Sequence, residues 1–351
     1  MKKNLIVGVT GQDGSLLANN LLEKGEKVIG TFRRGSDYGS KDKLWRLKEL
    51  GINSQIIFEQ LEINDPYYIQ KIILKHKPDF IYHLAGYSFV GDSFESPIST
   101  ISTNVNSTLY LLETLRQFNL KIPTFFSSSS EIFDTTDILD KNESSKMSPK
   151  NPYGISKLAV FHLTKMYREV YKLPVSTGIF FNHESPYRSR NFVTRKISYN
   201  MARLSVFGGE PFALGNIYME RDWSSASDFI NGMILINQKN KSDDYVFSSG
   251  KLTSVKTLVS LAASEAGFDP VFEGDGLNEK CLDRETGKIL MNIDKKYYRE
   301  NDTIGMKGDP SKLRNTLYWT NQSSIQDEIK KMVIRDLERI KTNDHVRKFK
   351  K

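Results

Sequence analysis

The chain has 351 residues, enough to bury a large core as one sizeable α/β domain with a smaller companion, and its composition is that of an ordinary globular protein. No apolar run approaches the roughly 20 residues that span a bilayer, and Leu5 to Val9 meets glycines instead of a cleavage site, so it reads as a strand and not a signal peptide. A formal charge of +8 implies an anionic partner, yet no arginine-rich arm or nucleic-acid motif accompanies it.

Much of that excess lies at the carboxyl end (Lys330, Lys331, Arg335, Arg339, Lys341, Arg347, Lys348), which reads as a solvated helix and tail. A diphosphate-bearing substrate and a phosphorylated cofactor account for the internal arginines more economically. One cysteine, Cys281, excludes an internal disulfide and fits a reducing cytoplasm. Five scattered histidines with that cysteine make no metal-ligand cluster, so no metal is expected.

In chain order, Leu5 to Thr10 reads as a buried strand running into Gly8-x-x-Gly11-x-x-Gly14 and a helix from about Ser15. Glycines at such a turn let the backbone approach a pyrophosphate, which the free N–H groups and dipole of the helix amino terminus stabilise. A glycine trio alone is a weak signal; a strand before it, a helix after it and a second strand at Lys27 to Phe32 make it strong. An acidic residue about 20 residues past the glycines would bind the ribose 2′-hydroxyl of NAD. Arg33-Arg34 stands there instead, suited to a 2′-phosphate, and two arginines at that position favour NADP over a merely solvated loop.

Strand and helix then alternate: a strand at Gln55 to Phe58 leading to Glu62 and Asp65, a helix at Pro66 to Lys77, and a strand at Phe80 to Ala85 ending in Gly86-Tyr87-Ser88. A long helix from Pro97 to Phe118 carries Asn104, and Ile122 to Phe126 is a buried strand. The alternation predicts a doubly wound parallel sheet of Rossmann type. At the carboxyl end of the last strand lies Ser127-Ser128-Ser129-Ser130-Glu131, where such sheets bind ligands. The polar stretch Asp134 to Pro152 reads as a loop beside this site.

Tyr153 and Lys157 follow, four apart on one helix face. An ammonium beside a phenol favours the phenolate and lowers its pKa toward that of a working general base. Ser129 can hold a substrate hydroxyl against that oxygen, and Glu131 adds a carboxylate that simple alcohol oxidation does not require. Tyr-x-x-x-Lys occurs by chance in many helices and a serine run is often only a polar strand end; their order after a nucleotide-binding start gives them weight.

Val175 to Phe181 is a further strand, ending in Asn182-His183-Glu184-Ser185-Pro186, then Arg188 and Asn191-Phe192-Val193-Thr194-Arg195-Lys196-Ile197. Beyond it the alternation loosens into short elements around Gly215-Asn216, Arg221-Asp222-Trp223, Tyr297-Tyr298-Arg299 and Gly308-Asp309, and closes on an amphipathic helix at Ile325 to Ile340. The expected division is a cofactor-binding domain over 1–181 and a smaller α/β substrate domain over 182–351, some of whose segments return to the first.

Taken together, Gly11-Gln12-Asp13-Gly14-Ser15, Arg33-Arg34, Ser130-Glu131, Asn182 to Pro186, Asn191 to Ile197, Arg221-Asp222-Trp223 and Tyr297-Tyr298-Arg299 resemble the extended short-chain dehydrogenase/reductases, most closely the GDP-mannose 4,6-dehydratases, from about Lys3 to Leu337. The resemblance implies a redox-neutral elimination. A hydride leaves C4 of the hexose for NADP while Tyr153 removes the hydroxyl proton, assisted by Lys157 and Ser129; Glu131 takes the acidified C5 proton; water leaves from C6; hydride returns there. With serine at position 130, Glu131 serves as both base and acid.

The resemblance also implies cofactor contacts from Gly8, Thr10, Gly11, Gln12, Asp13, Gly14, Arg33, Arg34, Glu62, Ile63, Leu84, Ala85, Tyr87, Tyr153, Lys157 and His183. For His183 a structural role competes. GDP-sugar contacts are implied for Ser88, Asn182, Val193, Lys196, Gly215, Arg221, Arg299 and Asp302, and a cytoplasmic homotetramer with the Arg33-Arg34 loop at a subunit interface. Departures from the family pattern surround the substrate: Ser129 for threonine, Phe133-Asp134 after the glutamate, Tyr87-Ser88-Phe89, Ser189-Arg190, and Glu300-Asn301-Asp302-Thr303 after Arg299. They raise a variant substrate such as GDP-manno-heptose. Two rivals stand beside this reading: a GDP-sugar 4-dehydrogenase, reductase or epimerase of the same fold, and a non-catalytic NADP-binding subunit.

Overall fold

The computed structural model describes residues 1–33, 43–136, 140–298 and 305–342. Its first half runs β1 (Lys3–Val7), α1 (Gln12–Glu23), β2 (Lys27–Phe32), α2 (Trp45–Glu49), β3 (Ile57–Gln60), α3 (Pro66–His76), β4 (Phe80–His83), α4 (Val90–Glu95), α5 (Pro97–Gln117), β5 (Thr124–Ser129), α6 (Pro152–Tyr171) and β6 (Val175–Phe180). The second continues with β7 (Asn182–Glu184), α7 (Val193–Phe207), β8 (Phe212–Leu214), β9 (Glu220–Ser225), α8 (Ala226–Gln238), β10 (Asp244–Phe247), β11 (Leu252–Ser254) and α9 (Val255–Glu265). It ends with β12 (Pro270–Glu273), β13 (Lys280–Asp283), β14 (Ile289–Ile293), α10 (Ser311–Leu317) and α11 (Ile325–Lys341).

Seven parallel strands form the main sheet in the order β10-β6-β5-β4-β1-β2-β3. Strand order reverses at β1, so the carboxyl ends of β1 and β4 open a crevice between crossovers that leave in opposite directions. Both sheet faces are covered, which explains why β4 and β6 are buried at every residue instead of alternating. Two smaller sheets, β11-β9-β7 and β12-β13-β14-β8, complete the fold.

One hydrophobic core joins Ile6, Leu17, Leu21 and Phe125 to Phe229, Ile230 and Met233 of α8 and Leu313 of α10. Helix α8 and strand β10 thus belong to the main sheet although they lie late in the chain. A second core packs Ile197 and Met201 of α7, Leu258 and Val259 of α9 and Ile329, Met332 and Val333 of α11 against β8 and β14. Elements expected from the sequence occur with small shifts: β1 stops before Gly8, α1 begins at Gln12, and the strand expected at Gln55 to Phe58 runs Ile57–Gln60. The short helices α2 and α4 went unread, each too brief to show a helical period.

On the carboxyl-terminal helix Lys330, Lys331 and Lys341 are exposed as its charge suggested, but the arginines turn inward. Arg339 is buried, donating to Glu49 of α2, to the Pro186 carbonyl and to Asp336, while Arg335 also reaches Glu49. Arg195 of α7 pairs with fully buried Asp336, which Ser198 also contacts at 2.9 Å. These are helix-to-helix ties whose charges share an i, i+3 or i+4 face. Removing one member strands the other in apolar packing. Asp336→Ala is therefore expected to cost about 3–5 kcal/mol, read as a lower midpoint in urea unfolding.

Candidate active site

The catalytic edge is built where β5 ends. Its last residue, Ser129, is extended and opens a single 3-10 turn, Ser130–Ile132, with its hydroxyl accepting from the Glu131 N–H at 3.3 Å. Helix α6 starts at Pro152, whose fixed φ suits a first helical position, after the Asn151 cap. Lys157 Nζ donates to the Ser127 carbonyl at 2.8 Å, and Ser128 Oγ donates back to the Lys157 carbonyl at 3.0 Å. Strand end and helix are thereby laced together, and Ser129, Glu131, Tyr153 and Lys157 all line one cleft of about 1370 Å³.

Electrostatics here run against the simple sequence expectation. The Tyr153 phenol is pushed up to about 12, first by burial, which a hydrogen bond with Ser129 offsets, and then by the nearby Glu131 charge. Lys157 does not lower it: its Nζ lies 5.8 Å from the ring centre and is committed to the strand carbonyl. Burial also brings the ammonium down to about 8. His83, stacked on Phe126, is held at about 3 by burial and then by the charge of Lys157, so this imidazole stays neutral.

The glycine turn forms the other end of the cleft. Gly8 has φ +97°, and a Cβ on Gly14 would stand 2.2 Å from the Gly8 carbonyl oxygen, so only glycine lets the turn close onto α1. Helix α1 has no side-chain cap, leaving its first N–H groups directed at the cleft floor. Asp13 bonds His183 Nε2 at 3.0 Å; burial raises its carboxyl pKa, but His183 outweighs this and leaves it at about 2. His183 Nδ1 also meets the Phe181 carbonyl, its ring stacks on Phe229, and Gln12 reaches the His183 carbonyl. The histidine both lines the cleft and ties the glycine turn to β7.

Of the residues expected to hold a cofactor, Gly8, Thr10, Gly11, Gln12, Asp13, Gly14, Arg33, Ile63, Leu84, Ala85, Tyr87, Tyr153, Lys157 and His183 line the cleft. Glu62 does not, whereas its neighbours Leu61 and Ile63 do. Ser88, Asn182, Val193, Lys196, Gly215 and Arg221 line its far end. There Lys196 Nζ sits 3.8 Å over the Tyr297 ring, its pKa lowered by burial. Asp222 holds the Ser249–Gly250 turn and the Gly308 N–H beside Arg221. Arg34, Arg299 and Asp302 lie outside the described residues.

Several participants escaped the sequence reading. Arg188 lines the cleft with its guanidinium 3.6 Å over Phe192, which meets Phe89 edge-on. Arg46 donates to the Thr10 carbonyl at 3.0 Å and to the Tyr187 carbonyl at 2.6 Å. Asn104 brackets the Tyr87 backbone and donates to Ser156 of α6, an approach allowed because a Cβ on Gly86 would fall 2.5 Å from its oxygen. Only Asn104 had a local signal, a lone amide on the inner side of a long helix.

The family model described as GDP-mannose 4,6 dehydratase matches residues 5–332. A GDP-mannose 4,6 dehydratase of Cricetulus griseus is 36% identical over 97% of this chain and 93% of its own. One from Sinorhizobium fredii is 35% identical over 96% and 97%. In fold, the dTDP-glucose 4,6-dehydratase of Bacillus anthracis in complex with NAD superposes with TM-score 0.77 at 18% identity, covering 98% of both chains.

Lys157 gives a stability prediction with a definite sign. Its folded pKa of about 8 lies below the ordinary 10.5, so burial of the charge destabilises the fold below pH 8. That penalty fades as pH rises from about 8 toward 10.5, since the unfolded chain then binds the extra proton. Lys157→Met is expected to stabilise the protein by about 1–3 kcal/mol at pH 7, the gain shrinking above pH 8 in calorimetric or urea unfolding.

Proposed function

The chain belongs to the GDP-mannose 4,6-dehydratase family, and from that premise we infer that it dehydrates a GDP-hexose to the GDP-4-keto-6-deoxy sugar, with NADP as the resident cofactor. Enzymes of this family are lyases; the finer assignments that follow are the reading we draw from the residues. What carries it is the company Glu131 keeps: a carboxylate lining the same cleft as Tyr153, Lys157 and Ser129. A 4-dehydrogenase, reductase or epimerase of this fold has no work for that group.

The glycine cradle, the uncapped start of α1 and the cleft beyond fit a dinucleotide pyrophosphate. Gly8, Thr10, Gly11, Gln12, Asp13 and Gly14 would hold the diphosphate, Arg33 the 2′-phosphate, Ile63, Leu84, Ala85 and Tyr87 the adenosine side, and His183 would lie near the nicotinamide. When bound, that group supplies a hydride acceptor at C4 that gives the hydride back at C6, leaving the cycle redox-neutral.

The remaining work belongs to the protein. Tyr153 removes the C4 hydroxyl proton; its high pKa requires help, which the Ser129 hydroxyl supplies through its hydrogen bond to the phenol oxygen, while Lys157 assists by holding the strand end in place through the Ser127 carbonyl. The C4 ketone so formed acidifies the C5 hydrogen. Glu131 takes that proton and delivers it to the departing C6 hydroxyl, so water leaves and the carboxylate is restored; as C6 is reduced, C5 takes up one proton, which balances the proton Tyr153 removed and then releases. Asn182, Val193, Lys196, Gly215 and Arg221, with Arg299 and Asp302, hold the GDP, arginine being matched to diphosphate oxygens.

We assign 1–181 to cofactor binding and most of 182–351 to the substrate, in a cytoplasmic homotetramer with the Arg33-Arg34 loop at a subunit interface. Among the described residues no helix is long and apolar enough to cross a membrane.

Two measurements test this reading. Offered GDP-mannose and GDP-manno-heptose, the protein should convert at least one to a product lighter by one water, and Glu131→Gln should cut that release by roughly 10²–10⁴ while hydride exchange at C4 persists. Retention of dehydration in Glu131→Gln would discard the mechanism. Arg33→Ser should weaken NADP binding by about 10- to 100-fold in calorimetric titration and leave NAD unchanged; equal effects on both would remove the 2′-phosphate assignment.

A further inference from the structure

We propose that Asn151 is a positioning residue that sets the catalytic carboxylate, acting on Glu131 and on the Tyr153 helix through one amide group. Asn151 is buried at the amino end of α6, where Oδ1 accepts from the Gly154 N–H at 2.8 Å and Nδ2 donates to Glu131 Oε2 at 2.8 Å. The orientation of the amide is dictated: turned over, its NH₂ would face an N–H and its oxygen a carboxylate.

Ordinary helix capping does not ask for this residue. Serine, threonine and aspartate all cap as acceptors, and none would present an amide N–H to a neighbouring carboxylate in this pose. Asparagine serves helix and carboxylate from two separate atoms, Oδ1 and Nδ2, where a hydroxyl would have to do both from one oxygen. Main-chain packing supports the same junction, since a Cβ on Gly154 would lie 2.4 Å from the Glu131 carbonyl oxygen. The turn bearing Glu131 is thereby pressed against the first turn of α6, two residues from Tyr153.

The amide also divides the labour of the two carboxylate oxygens. Oε2 is anchored to Asn151, while Oε1 takes no hydrogen bond among the described residues and is the oxygen left to receive the C5 proton. Glu131 lies within a single short turn, and among the described residues no other hydrogen bond holds its side chain. Asn151 therefore belongs to the elimination step more than to the oxidation step.

This inference rests on the dehydratase reading, and the experiment separates the two. Asn151→Ser keeps a cap but loses the amide donor; Asn151→Asp keeps the cap and sets a like charge against Glu131. For both, the expected result is unchanged cofactor affinity and near-normal cofactor reduction in a single turnover at 340 nm, with a thermal midpoint lowered more in Asn151→Asp, by the like charge it buries, than in Asn151→Ser. Loss of water and solvent-deuterium exchange at C5 should fall about 10- to 100-fold in Asn151→Ser, the worth of a hydrogen bond to a charged group, and further in Asn151→Asp. Equal losses in both half-reactions, or none in either, would overturn the assignment of Asn151. A wild-type protein that releases no water from either sugar would instead overturn the dehydratase reading.

Discussion

The Lys157 ammonium, donating to the Ser127 carbonyl at 2.8 Å within the packed junction of α6 and β5, holds together the edge of the cleft where Ser129, Glu131 and Tyr153 meet. Its charge is costly to bury, as the fall of its pKa to about 8 records. In return it fixes the rise of α6 against the strand, and with it the separation of Tyr153 from Ser129. His83 stays uncharged next to it, so the imidazole adds no second positive charge beside the lysine. Burial likewise raises the Tyr153 phenol to about 12, against the hydrogen bond with Ser129.

The opposite end of the cleft is stiffened in another way. Here the glycine turn is tied to β7 by Asp13, Gln12, His183 and Ser185, and to the loop after β7 by Arg46, which bridges the Thr10 and Tyr187 carbonyls. Arg339, from the last helix, donates to the Pro186 carbonyl in the same loop. The glycines of the turn offer no side chains for bracing, so Gln12 and Asp13 at its helix end are met by partners from distant segments.

Legibility in the sequence tracked the range of the interactions. The main sheet, the glycine turn and the Ser129–Glu131–Tyr153–Lys157 set were readable because each rests on a local pattern: an apolar run, a spacing of three, a spacing of four. What failed were judgements that depend on long-range neighbours. Arg339 looked solvated because Glu49, 290 positions away, is invisible to a helical wheel. A lysine-lowered pKa for Tyr153 was expected from their spacing, but spacing along a helix says nothing about burial, which raises the phenol, or about the Ser127 carbonyl that takes the ammonium. Asn151 and Arg188 hid in loops, where no periodicity advertises a role.

The late placement of α8, β10 and α10 against the first-half strands has a consequence for how the molecule can be handled. The polypeptide shuttles between two cores, leaving the large sheet after β6, returning for α8 and β10, departing again for α9 and the small sheet, and coming back at α10. Neither half can be cut out with a single pair of scissors. A fragment ending near Phe181 would lack its edge strand and the Phe229–Met233 packing beneath the sheet, exposing a hydrophobic face that invites aggregation. Chimeras that graft sugar specificity from a relative must therefore exchange at least two separate stretches of chain.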